Sequence, residues 1–168
     1  MTDGPLRSLL VTGGAGFIGS NLVRWWCAAY PHDTVVVLDA LTYAGNRQNL
    51  AELEAAGAIH FVNGDIRDGD LVDDLLGRYR IDTIVHLAAE SHVDRSITGP
   101  DAFIDTNVIG THALLKAARK AWLEKPGGPR PHRFHHVSTD EVYGSLGPED
   151  PAFREASVYA PNSPYSAR

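Results

Sequence analysis

Two adjacent carboxylates, Asp140 and Glu141, follow the hydroxyl of Thr139 in the run Ser-Thr-Asp-Glu-Val-Tyr-Gly at 138–144. Neighbouring carboxylates at the mouth of a site can divide acid and base roles when their surroundings push their pKa values apart. A solvated acidic turn is the plainer use of the same residues. A second polar run, Glu90-Ser91-His92-Val93-Asp94-Arg95-Ser96, follows the apolar stretch that ends at Ala89. Tyr165 stands in Pro-Tyr-Ser-Ala-Arg at 164–168. A phenol with an ordinary pKa of about 10 needs positive neighbours before it can act as a base near neutrality. A lysine one helical turn on would serve, and that position is 169.

The third constellation is Thr12-Gly13-Gly14-Ala15-Gly16-Phe17-Ile18-Gly19. It contains two overlapping spacings, Gly14-x-Gly16-x-x-Gly19 and Gly13-x-x-Gly16-x-x-Gly19. Glycines here allow a tight turn and let backbone approach a pyrophosphate. A helix starting near Phe17 would offer that anion unpaired N–H groups and a positive dipole end. The glycines alone are a weak signal. They gain weight from position: they follow an apolar strand, open a helix, and precede a strand ending in Asp39, about 20 residues on, the spacing of a ribose-binding acid. A carboxylate at 39 can accept from both adenosine ribose hydroxyls of NAD and would repel the 2′-phosphate of NADP. Ala40 next to it supplies no arginine for that phosphate. Asp65-Ile66 falls where the adenine is expected, and Asp65 could accept from its amino group, though an ordinary turn aspartate has the same sequence.

Parallel strands with their carboxyl ends on one side would bring these groups together. The hydrophobic pattern predicts strands at 6–12, 34–39, 58–64, 81–89 and 132–139. It predicts helices from Phe17 to Ala29, Arg47 to Ala56, Asp68 to Tyr79 and Asp101 to Trp122, with Asp68 as an N-cap. Lys125 to Pro131 reads as a turn-rich surface connection, and Gly144 to Pro164 as a long polar loop of the functional or disordered kind. Continuous apolar strands alternating with helices give an α/β, Rossmann-type, doubly wound parallel sheet in the order 3-2-1-4-5. One domain over residues 1–168 accounts for the length.

Composition excludes other classes. The formal net charge is −6 and no Lys/Arg run is present, so a nucleic-acid partner is not expected. No apolar run approaches the ~20 residues of a membrane span, and the N-terminus lacks the features of a signal peptide. One cysteine, Cys27, fits a reducing cytoplasm and a place in helix packing. Trp25 and Trp26 also read as helix packing. His132, His135 and His136 look like metal ligands on paper, but adjacent residues of a strand point to opposite faces, so no metal site is expected.

The motifs as a set, TGGAGFIGSN, DALTYAGN (39–46), GDIRD (64–68), LAAESHVDRSI (87–97), STDEVYG (138–144) and NSPYSA (162–167), resemble the extended short-chain dehydrogenases. Within them the sequence is similar to the NAD-dependent dTDP-glucose 4,6-dehydratase family over nearly the whole chain. Asp140-Glu141 after Thr139 is the discriminating element, since related 4-epimerases are expected to carry small residues there. The resemblance implies that Tyr165 takes the proton of the sugar 4-hydroxyl, oriented by Thr139, while a hydride passes from C4 to NAD⁺. Glu141 then removes the C5 proton, Asp140 protonates the departing 6-hydroxyl, and the hydride returns to C6. It implies a cofactor site lined by Gly13, Gly16, Phe17, Ile18, Gly19, Asp39, Ala40, Leu41 and Thr42. Asp65, Ile66, Leu87, Ala88, Ala89, Glu90, Ser91, Thr106 and Tyr165 complete it. Ser91 and Thr139 would touch the nucleotide sugar. It further implies a homodimer built on the helix from Asp101 and one beginning near Tyr165, and a longer protein with a partner lysine and a smaller substrate domain. The 168 residues alone are then expected to turn over poorly. A sugar-nucleotide 4-epimerase or decarboxylase, or a non-catalytic NAD-binding module, are the alternatives.

Overall fold

The structure is a computed structural model that describes residues 7–124 and 130–167. Five parallel strands form one sheet: β1 (Ser8–Thr12), β2 (Thr34–Asp39), β3 (His60–Asn63), β4 (Thr83–His86) and β5 (Arg133–His136). Their order is β3-β2-β1-β4-β5, as the alternation of strands and helices predicts. Leu10 pairs with Val36 on one side and Ile84 on the other, and Ile84 pairs with Phe134.

Side chains alternate across the sheet, and each face has its own core. Leu10, Val36, Leu38 and Ile84 face α3 (Gly69–Arg78) and α6 (Thr111–Trp122), where Leu75, Leu76, Leu114 and Trp122 are buried. Leu9, Val11, Val35 and Val37 face α1 (Phe17–Ala29) and α2 (Ala51–Ala55). Asp68 caps α3, its carboxylate accepting from Leu71 N at 3.1 Å. Trp122 Nε1 donates to Ile81 O at 2.7 Å and pins α6 to the strand entry.

The strands are shorter than the apolar runs suggest. At the end of β4, Leu87 N still bonds Thr12 O at 3.1 Å, but Ala88 N turns to the Thr12 hydroxyl at 3.3 Å, so the chain leaves the ladder before Ala89. The stretch 47–56 is a 3₁₀ turn (Arg47–Leu50) followed by α2, because the Asn46 side chain accepts from Gln48 N at 3.0 Å and tightens the start. A short helix, α4 (Val93–Thr98), lies in the polar run after β4, where no apolar periodicity announces it. The long helix is present as α5 (Asp101–Phe103), a π-helical stretch (Ile104–Gly110) and α6. Residues 125–129 of the surface connection lie outside the described residues.

Two features concern the rest of the chain. Residues 144–162 carry no regular element but fold back on the 3₁₀ turn Asp140–Tyr143: Ala160 N bonds Val142 O at 3.0 Å, and Tyr159 stacks on Tyr143. Beyond α1, the sheet face over β4 and β5 is uncovered among the described residues. It leaves a concavity of about 920 Å³ whose walls include Leu22, Trp26, Val85, Leu87 and Val137. A parallel sheet normally has helices on both faces.

Candidate active site

A cleft of about 830 Å³ opens at the carboxyl ends of the strands, at the switch between β1 and β4. Its floor is the glycine turn. Gly13 has φ +70°, and a Cβ there would lie 2.7 Å from Ala88 N. A Cβ on Gly19 would run into Gly13 O. The structure thereby selects the wider spacing: Gly13, Gly16 and Gly19 line the cleft, whereas Gly14 packs against Val37. Gly16 begins α1 with no side-chain cap, and no acidic residue occupies the first turn. The free N–H groups and dipole end of that helix are thus available to an anion.

Asp39 ends β2 and is 8% exposed. One carboxylate oxygen accepts from Ala15 N at 2.9 Å and the other from Leu41 N at 2.8 Å. A carboxylate offers about four lone-pair sites, so two remain for a ligand. Leu41 is held at φ +53° by this contact. Strain of that kind in a non-glycine residue is concentrated at functional loops.

The opposite wall is the segment from Leu87 to Ser91. Asn107, buried in the π-helical stretch, clamps its peptide: Oδ1 accepts from Glu90 N at 2.8 Å and Nδ2 donates to Glu90 O at 2.9 Å. Beneath it His86 joins two threonines, with Nδ1 2.7 Å from Thr12 Oγ1 and Nε2 2.9 Å from Thr111 Oγ1. The Thr111 hydroxyl gives its hydrogen to Asn107 O at 2.7 Å, so His86 Nε2 is the donor to Thr111. β1, β4 and the long helix are tied at one buried point directly under the cleft.

Asp65 and Ile66 follow β3. Arg67 Nη2 lies 2.7 Å from Asp65 Oδ2, and the guanidinium also reaches Asp105 at 3.6 Å. The Arg67 hydrogen bonds hold the Asp65 carboxyl below its ordinary value, against an opposing effect of burial. Ile66 packs under Gly110, where a Cβ would be 2.5 Å from the Ile66 Cδ1 methyl.

At the end of β5, Thr139 caps the 3₁₀ turn, its hydroxyl accepting from Glu141 N at 3.3 Å. Thr139, Asp140 and Tyr165 line the same cleft as the glycine turn, Ser91 and Thr106. Of the residues that the resemblance assigns to the site, Leu41 and Glu141 are not on its wall. Leu41 supports Asp39 through its amide, and Glu141 is half-buried on the 3₁₀ turn next to Asp140. Tyr165 sits in a hydrogen-bonded turn. Ser166 N donates to Ser163 Oγ and Ser163 N to Ser166 Oγ, both at 3.1 Å, and Ala167 N bonds Ser163 O at 3.1 Å. These reciprocal caps, with Pro164 in the first position, are those of a helix N-terminus.

The three histidines between 132 and 136 do not converge. His135 faces the uncovered concavity, His136 stacks towards His86 at 5.1 Å, and His132 stacks on Trp122 at 4.9 Å. Asn107 and Tyr43 are the site residues that sequence reasoning missed. Asn107 lies in a helix with no visible polar purpose, and its partner is 17 residues away. Tyr43 falls inside the quoted 39–46 motif, yet only the fold shows that its hydroxyl is 3.0 Å from Ser91 Oγ.

A doubly wound sheet with a glycine turn facing a strand-end acid defines a dinucleotide-type domain, and acid, hydroxyl and phenol groups stand at the same switch point. Residues 10–168 match the family model described as GDP-mannose 4,6 dehydratase, and the chain belongs to that family. A dTDP-glucose 4,6-dehydratase of Xanthomonas campestris pv. campestris (strain B100) is 58% identical over 163 residues, covering 96% of this chain and 46% of the relative. The dTDP-glucose 4,6-dehydratase of Salmonella typhimurium is 49% identical over 168 residues, covering 95% of this chain and 46% of the relative. The crystal structure of the dTDP-glucose 4,6-dehydratase DesIV from Streptomyces venezuelae, with NAD and TYD bound, superposes with a TM-score of 0.83. It is 54% identical, covering 95% of this chain and 47% of that one. A UDP-Glc/GlcNAc 4-epimerase from Campylobacter jejuni is 30% identical with a TM-score of 0.82, covering 96% of this chain and 45% of that one. The chain spans about half the length of the curated relatives it matches.

Proposed function

We propose that this chain is the NAD-holding part of a dTDP-glucose 4,6-dehydratase, and that it carries most of the groups that perform the elimination. The observation that supports this most directly is that Thr139, Asp140 and Tyr165 share one cleft with the glycine turn and Asp39. The similarity to dTDP-glucose 4,6-dehydratases at 49% and 58% identity, one solved relative holding NAD and TYD, supports the choice of nucleotide and sugar.

The residues fit the cofactor. The uncapped start of α1 takes the pyrophosphate, and the turn leading into it is packed too tightly for side chains, a Cβ at Gly13 meeting the Ala88 backbone and one at Gly19 meeting Gly13 O. Asp39 keeps lone pairs for the ribose hydroxyls, and Ala40 adds no cation that would favour a 2′-phosphate. Bound there, NAD would accept a hydride from the sugar and give it back. Of the chain's own groups, Tyr165 takes the proton of the sugar 4-hydroxyl, and Thr139 orients that hydroxyl. Asp140 protonates the 6-hydroxyl as it departs as water. Glu141 removes the C5 proton, made acidic by the adjacent 4-keto group, and a solvent-exchanged proton is returned to C5 when C6 is reduced. Steps of this acid–base kind typically contribute about 10²- to 10⁴-fold each.

The test uses the intact parent protein with dTDP-glucose. The expected result is a 4-keto-6-deoxy sugar with solvent deuterium at C5. Conversion to the 4-epimer alone would overturn the proposal and favour the epimerase reading, for which the Campylobacter structure is the relevant neighbour. A decarboxylase, like an epimerase, would keep most of its activity when Asp140 and Glu141 become Asn and Gln. The 168-residue chain by itself is expected to bind NAD with little turnover, and efficient turnover by it would overturn that part.

A homodimer belongs to the same proposal. The long helix exposes Ile104, Val108 and Leu115 (40%, 41% and 47%), spaced for one face. Sedimentation of the intact protein as a dimer, lost on introducing Val108→Glu, is the expected outcome.

A further inference from the structure

We infer that Tyr43 is a cofactor-retaining residue, whose hydroxyl straps the loop after β2 to the loop after β4 across the glycine turn and limits the release of NAD. This rests on the NAD reading of the cleft and extends it to a residue on the outer side of the wall.

The strap has two hydrogen bonds. The Ser91 amide donates to Tyr43 Oη at 3.2 Å, and Tyr43 Oη and Ser91 Oγ lie 3.0 Å apart. With the amide taking one phenol lone pair, the phenol hydrogen is available to the serine oxygen. The ring is flanked by His92, with centroids 5.1 Å apart, and by the Arg95 guanidinium at 5.4 Å. Both belong to the loop-and-helix segment that follows β4.

Topology gives this contact its meaning. β1 lies between β2 and β4 in the sheet, so any bond between the loops that follow β2 and β4 must straddle the turn that follows β1. That turn is the glycine turn. Thr42, Ala44 and Gly45 on one side and Ser91 on the other line the cleft. Tyr43 is not on the lining and is 47% exposed, so the bridge lies at the rim.

The loop is built to hold Tyr43 there. Asp39 fixes Leu41 at φ +53°, and a Cβ on Gly45 would come within 2.6 Å of Asp39 Oδ1. Asn46 N bonds Ala15 O at 3.1 Å, closing the loop onto the glycine turn. One end of the loop is thus anchored by the acid assigned to the ribose, the other by the turn assigned to the pyrophosphate. A cofactor that is oxidised again at the end of each cycle has no need to leave, and a strap over its phosphates suits that use.

The experiment is the rate of NAD release from the loaded chain, followed by displacement of labelled NAD with excess unlabelled NAD. Tyr43→Phe keeps the ring and removes the hydroxyl. It is expected to speed release about three- to tenfold, the effect of losing a typical hydrogen bond. Ser91→Ala removes only the hydroxyl bond and keeps the amide bond, so it is expected to speed release by less, and the double variant should be no faster than Tyr43→Phe, which already removes both bonds. Release from Tyr43→Phe at the parent rate, or a double variant whose effect is the product of the two singles, would overturn the strap. A parent chain that retains no NAD would instead overturn the cofactor reading on which the strap depends. Thermal melting of each variant separates a lost strap from a lost fold.

Discussion

The Asp39 carboxylate accepts a hydrogen bond from the Ala15 amide at 2.9 Å, so the acid at the end of β2 shapes the glycine turn at the end of β1. Its second oxygen accepts from Leu41 N at 2.8 Å and sets the loop that follows. One side chain organises both walls of the position assigned to the ribose, and it does so before any ligand contact is counted.

Asp39→Ala is therefore expected to weaken the fold as well as NAD binding. Each buried donor left without a partner costs ~1–3 kcal/mol, and two amides lose theirs. Urea denaturation should show a loss of about 2 kcal/mol or more by that reckoning, alongside a fall in NAD affinity. A variant with reduced affinity and unchanged stability would show that the Ala15 and Leu41 contacts carry no structural weight.

Asn107→Ala removes both bonds to the Glu90 peptide and is expected to cost about 1–3 kcal/mol. Hydrogen exchange at the Glu90 amide should accelerate by more than the change in global stability accounts for. Asn107→Asp should rescue little, because a carboxylate can accept from Glu90 N but cannot donate to Glu90 O. Equal exchange rates in parent and variant would remove Asn107 from the site's support.

Asp65 gives a pH dependence with a definite sign. Arg67 holds its folded pKa below the unfolded value, so its contribution to stability is present above the unfolded value. That contribution is lost as the pH falls through the lower folded value. Arg67→Ala should return the carboxyl to ordinary behaviour and move the acid-unfolding midpoint, followed by circular dichroism, to higher pH. The pair is more than a third exposed, so the shift will be small and will shrink in high salt.

The uncovered sheet face over β4 and β5 should bind a hydrophobic dye. Enhanced fluorescence of ANS with the native 168-residue chain is the expected result, reduced by Val137→Lys or Leu22→Lys, both on that wall.

Much of the scaffold was legible because it depends on local pattern. The apolar runs of β1, β2 and β4 and the sheet order follow from short-range periodicity and the handedness of crossovers. Element ends were less legible. Where β4 stops is decided by Thr12, whose hydroxyl takes Ala88 N out of the ladder from 76 residues away. The π-helical stretch before α6 and the short α4 have no period of their own to read.

By itself the sequence determined a doubly wound sheet, a glycine turn opening a helix, an acid at the end of the second strand, and acid, hydroxyl and phenol groups after the fifth strand. Those features are encoded in residue type and spacing along one stretch of chain. Tertiary structure alone decided that Gly13 rather than Gly14 faces the cleft, that Asp140 lines it with Thr139 and Tyr165, and that Asn107, His86 and Tyr43 support it. Each of those depends on contacts between residues distant in the chain, which exist only once the strands are paired and the helices packed against them.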